Sequence, residues 1–197
     1  MALLNPPLIA AERRRAFRLR LQTLYAAMDR AYARVAESCG FTCSGCRDNC
    51  CRSRFHHHTV IEYLELQNGL DQLPPDQRQR VEALARQAIQ TAPDRRVPCP
   101  LLADERCLLY AHRPMICRLH GIPHRLVRPD GTVLAGDGCA AFHARCGPAT
   151  RRLDRTPFYR QMADLEKELR AETGFPARVK LTVAEMIAAM ATEADEP

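Results

Sequence analysis

Four cysteines fall within nine residues, Cys43-Ser44-Gly45-Cys46-Arg47-Asp48-Asn49-Cys50-Cys51, and no other feature of the chain restricts its fold as much. A Cys-x2-Cys knuckle turns two thiolates toward one metal, and Ser44 and Gly45 permit the tight turn this needs. The adjacent pair Cys50-Cys51 sets a different constraint. Neighbouring side chains diverge, so the two do not complete one small tetrahedron. Either they serve two sites, or one is a core residue, or they bridge a polynuclear centre. A second group follows at Cys99, Cys107, Cys117 and Cys139, with Cys39 and Cys146 on the outer flanks. Ten cysteines in 197 residues are too sparse for a stapled secreted mini-protein. Met1 to Arg15 also lacks the apolar stretch and small-residue cleavage site of an export signal. Reduced thiols in a cytoplasmic setting are therefore expected, where clustered cysteines serve metals or catalysis rather than disulfides.

The remainder of the sequence reads as mainly α. Phe17, Leu21, Leu24, Met28, Ala31 and Val35 recur at spacings of three and four, one face of a long helix over residues 8–37. Thr59 is placed to cap a helix over Val60 to Asn68 that Gly69 would stop. Pro74 and Pro75 open another, Asp76 to Thr91, with Val81, Leu84, Ala88 and Ile89 as its buried side. Thr156-Pro157 starts a helix that ends near Gly174, and Thr182-Val183-Ala184-Glu185 is a capping box for a last one, Val183 to Ala191. Between these lies an irregular stretch, residues 93–147, rich in Pro, Gly and Cys. Pro129-Asp130-Gly131 within it predicts a β-hairpin of Arg125–Arg128 with Thr132–Ala135. With no repeat and no linker, the expectation is one helical domain, 1–197, around a cysteine-rich metal-binding centre. Its cysteine blocks are 43–51 and 99–146, and its C-terminal helices lie within 157–191. No run of eighteen apolar residues exists, so no membrane span is expected.

The two cysteine blocks resemble a known family. Cys43-x2-Cys46-x3-Cys50-Cys51, then Cys99-Pro100-x-Leu102-x4-Cys107-x2-Tyr110-x2-Arg113-Pro114-x2-Cys117-Arg118, is similar to the YkgJ-like cysteine-cluster proteins, which are associated with zinc or iron chelation. The resemblance implies that Cys43, Cys46, Cys50, Cys51, Cys99, Cys107 and Cys117 are metal ligands, with Cys139 at a later and looser position. Arg113 and Arg118 recur with the block and are expected to hydrogen-bond the thiolates from outside the ligand set, or to recognise an anion. Flagellin lysine methylase shares the cysteine pattern in a larger protein, which implies metal-dependent methyl transfer as an alternative activity. A metal or redox carrier or sensor is a further one, and whether the chain is an enzyme stays open.

The close pair and the surplus of sulfurs favour an iron–sulfur cluster of the [4Fe-4S] kind, with zinc as the alternative. Cys39-x3-Cys43-x2-Cys46 matches the spacing of radical S-adenosylmethionine enzymes, but the alternating strands and helices of their barrel are missing. The tract His56-His57-His58 reads as surface or as support for the ligands, and His120 is the preferred histidine for an open coordination position. The formal charge of +6 arises within residues 1–58, where ten arginines face four acidic residues. Those arginines are expected to offset a thiolate-rich anion. Metal ions and an unspecified protein or small-molecule substrate are therefore the expected partners, and nucleic acid is not.

Overall fold

The computed structural model describes residues 9–43, 50–91, 97–147 and 151–194. The chain is mainly α, as its periodicity predicts. Helix α1, Ala11–Glu37, buries the whole expected stripe from Phe17 to Val35, with Tyr25 beside it. Its polar side meets helix α6, Thr156–Thr173, through two ion pairs. Arg13 grips Glu172 with both ends of its fork at 2.6 Å, and Arg20 grips Glu168 at 2.6 and 2.9 Å. These arginines therefore offset carboxylates of α6 rather than sulfur.

Helix α2, Val60–Leu70, is buried on nearly every side, including at Glu62 and Glu65. Thr59 does not cap it; the Thr59 hydroxyl donates to Glu62 at 2.6 Å. The free N–H groups of Val60 and Ile61 donate instead to the two oxygens of Glu166 on α6, at 2.9 and 3.1 Å. A carboxylate distant in sequence thus satisfies the helix end and its positive dipole. Gly69 also departs from expectation, lying inside the helix rather than ending it. A Cβ there would stand 2.8 Å from Cγ of His112, so glycine is required by close approach and not by a turn.

Helix α3, Pro75–Gln90, starts one residue earlier than predicted and packs against helix α7, Val183–Ala194. Only Val81 and Ala85 of α3 are buried; Leu84 and Ile89 are each 38% exposed, which corrects the expected apolar side. Two residues one turn apart carry this contact, the main one α3 makes among the described elements. The capping box of α7 forms as read. Glu185 N–H donates to the Thr182 hydroxyl at 3.2 Å, and Thr182 N–H donates to Glu185 at 2.7 Å.

The predicted hairpin is present as β3, His124–Val127, and β4, Val133–Gly136, with Arg125 opposite Ala135 and Val127 opposite Val133. Three short strands and two short helices go beyond the sequence expectation. Strand β5, Leu153–Asp154, pairs parallel to β3, giving the order β4-β3-β5. Strands β1, Leu102–Ala103, and β2, Arg106–Cys107, form a hairpin whose two turn residues, Asp104 and Glu105, have φ of 47° and 58°. That is the left-handed pair which a two-residue turn demands, here without the usual glycine. Helices α4, Met115–Arg118, and α5, Ala140–Cys146, complete the fold. Helix α4 has its first N–H held at 2.6 Å by Glu62, so α2 carries the carboxylate that positions it. Among the described residues, no helix is long and apolar enough to cross a membrane.

Candidate metal centre

A cavity of about 350 Å³ collects sulfur from both cysteine blocks. Cys50 and Cys51 reach it from a single 3-10 turn, Cys50–Arg52. Cys99 comes from the extended run before β1, Cys107 from β2 and Cys117 from α4. The two blocks are joined at the backbone, where Cys99 N–H donates to the Cys51 carbonyl at 2.7 Å. The turn at Asp104-Glu105 then folds β2 back on β1, bringing Cys107 to the same side as Cys99.

The thiols are near enough to shift one another's acidity: Cys51 with Cys107, Cys50 and Cys99, and Cys50 in turn with Cys117. These contacts and burial set the acidities. The Cys117 contact pulls the Cys50 thiol down, but the Cys51 contact and burial outweigh it and leave Cys50 at about 11. Cys117 is raised by the nearby Cys50 and by full burial. Cys99 is raised by the nearby Cys51 and by burial. Cys107 is lowered, because Cys51 and the Leu109 N–H favour its thiolate. Among the described residues, no group of three or more His, Cys, Asp or Glu side chains is drawn in far enough to grip a metal ion as it stands.

His57 lines the same cavity. It is held by a two-way backbone bridge to Leu181, with N···O distances of 2.7 and 3.1 Å, and is only 2% exposed. Among the described residues neither ring nitrogen has a well-formed hydrogen bond, although the imidazole is close enough to Cys117 to favour that thiolate. A buried imidazole with no committed partner is costly unless something else takes the nitrogen lone pair or proton. Sequence reasoning had set the tract aside because consecutive side chains point apart. That holds: among the three, only His57 lines the cavity. The signal that could have found it is its position six residues after Cys51, just before a helix that must pack inward. His120, the histidine preferred from sequence, lies tilted against Phe55 with ring centroids 5.2 Å apart and does not line the cavity.

The two arginines of the block have different roles. Arg113 lines the cavity, and its charge lowers the Cys50 thiol. Its guanidinium lies 3.4 Å over the Tyr110 ring, and its Nε donates to the Tyr110 carbonyl at 3.0 Å. Arg118 is engaged elsewhere. It stacks on Tyr25 at 3.9 Å, pairs with Asp29 at 2.7 Å, and donates to the carbonyls of Arg113 and Ala111. It therefore secures the loop that carries Arg113.

Two other expected ligands, Cys43 and Cys139, do not line this cavity. Cys139 caps α5, accepting the Phe142 N–H at 3.4 Å. It lies near Tyr32, whose hydroxyl is pushed up in pKa by burial and by Cys43 and Cys139. Cys43 belongs to that neighbourhood too, and Cys46 lies outside the described residues. Cys39 and Cys146 form a disulfide, with Cα atoms 5.4 Å apart, against the expectation of thiols throughout. It joins the end of α1 to the end of α5, next to an edge-on contact of Phe41 with Phe142 at 5.1 Å.

No curated protein and no solved structure matches the chain. A family model does, over residues 42–155, a span that contains both cysteine blocks and every cavity thiol. By its sequence and by the sulfur-lined cavity that sequence builds, the chain belongs to the CxxCxxCC family, described as "putative zinc- or iron-chelating domain".

Proposed function

We propose that the protein binds zinc or iron in this cavity, through the thiolates of Cys50, Cys51, Cys99, Cys107 and Cys117 with His57 beside them. The observation that carries the reading is the convergence of five thiols from four separate segments on one cavity, together with a buried imidazole that has no committed partner. Thiolate and imidazole suit zinc and iron, and no apolar core requires five sulfurs in contact. Side-chain rotation of a few thiols closes the shell, and each thiol gives up its proton as it binds. The iron–sulfur form is favoured by the adjacent pair Cys50-Cys51, whose diverging side chains suit separate irons of a cluster better than one tetrahedral ion. A zinc form is favoured by His57, because a Cys3His shell uses the imidazole directly. In either form the whole chain acts as one metal-binding domain, and Arg113 supplies positive charge beside the centre.

Purification without air, followed by elemental analysis and an absorption spectrum, tests the reading. Iron with acid-labile sulfide and broad visible absorption identifies the cluster. Colourless protein holding zinc identifies the Cys3His form. Protein that holds neither metal, and takes up neither when supplied, contradicts both.

A further inference from the structure

We infer that the cavity over the sulfur atoms also binds a small carboxylic acid with an apolar body, its carboxylate held by Arg113. The inference rests on the metal reading, because the acid would lie against the same centre. Three observations carry it. The first is size: about 350 Å³ lies within the range of small-molecule pockets and far exceeds the needs of an ion or two. The second is the mixed lining. Beside the thiols and His57 it includes Phe55, Ile89, Val97, Pro98, Val183 and Ala184. Ile89 and Val97 are each 38% exposed there, apolar surface that a ligand's body would cover.

The third is the state of Arg113. Its Nε and one face of its guanidinium are committed to Tyr110, which fixes the plane of the group. Among the described residues no carboxylate pairs with it, whereas Arg52, which also lines the cavity, is bound to Glu105 at 2.7 Å. The two terminal nitrogens of a fixed guanidinium form a fork that matches a carboxylate in two parallel hydrogen bonds. Arg54 lines the cavity as well, and the fixed fork of Arg113 among apolar residues suits a carboxylate on an apolar body.

The experiment is calorimetric titration of the metal-loaded full chain with hexanoate, hexanol and inorganic phosphate, with metal content measured on the same samples. Saturable hexanoate binding is expected, at least about tenfold tighter than hexanol, with no phosphate binding. Arg113→Lys, which keeps the charge beside the centre and removes the fork, should weaken hexanoate about tenfold. Ile89→Glu, on the partly exposed apolar lining, should weaken it by repulsion. Equal binding of hexanoate and hexanol, phosphate binding in place of hexanoate, or wild-type affinity in both variants overturns the inference. Metal present without hexanoate binding removes the ligand and leaves the metal reading intact; protein without metal removes both.

Discussion

Proton and metal compete for the same sulfur atoms, and this competition is the most direct consequence at the level of single residues. Cys50, pushed up to about 11, carries its proton at neutral pH, as do Cys99 and Cys117, which are raised as well. Metal uptake must expel those protons, so affinity should rise with pH through the neutral range. Titration in a weakly buffered indicator should show proton release on metal addition; uptake with no release would argue against thiolate ligation. A second residue-scale prediction concerns Gly69. Gly69→Ala places a methyl 2.8 Å from Cγ of His112 and should lower stability by about 1–3 kcal/mol, read from a denaturant midpoint. The sequence suggested glycine as a helix stop at this position. A close approach between segments more than forty residues apart has no local signature, so that reading could not have found His112.

Among the elements, α2 is the one whose placement matters most to the centre. Its first N–H groups are held by Glu166, and its Glu62 holds the start of α4, which carries Cys117. Glu166→Gln leaves one acceptor oxygen where two serve now and breaks the 2.6 Å contact with Arg170. It should cost about 2–3 kcal/mol in chemical denaturation. Glu168→Gln, on the same helix but at the exposed pair with Arg20, should change little. Equal effects of the two would show that the buried carboxylate does not organise α2. The long amphipathic stripe of α1, the capping box of α7 and the β3–β4 turn were all legible, because each is written in neighbouring residues. The β1–β2 hairpin was not, since its turn uses Asp104-Glu105 where glycine would have announced it. Helix α4 was hidden for another reason: at four residues it is too short to show a period.

At the scale of the whole molecule, two kinds of crosslink hold distant segments. The Cys39–Cys146 disulfide closes a sequence separation of 107 residues. Replacing both cysteines by serine, or reducing the bond, should lower stability by about 2–5 kcal/mol, seen as a fall in Tm. An unchanged Tm in reductant would show that the bridge adds nothing. Composition pointed to thiols throughout, and pairing partners more than a hundred residues apart cannot be read from spacing. The second would be the proposed metal, for Cys50, Cys51, Cys99, Cys107 and Cys117 of both blocks line one cavity. The resemblance grouped these with Cys43 and Cys139 and did not separate the latter two, which gather near Tyr32. Nor did it single out His57, whose burial follows from the bridge to Leu181.

The central claim is that these five thiols hold the metal. Metal content per chain, measured side by side for the unaltered protein and for Cys51→Ser, Cys117→Ser and Cys139→Ser, tests it most directly. The account predicts that Cys51→Ser and Cys117→Ser lose zinc or iron while Cys139→Ser keeps the full amount. Full metal content in Cys51→Ser and Cys117→Ser, or loss confined to Cys139→Ser, would contradict it.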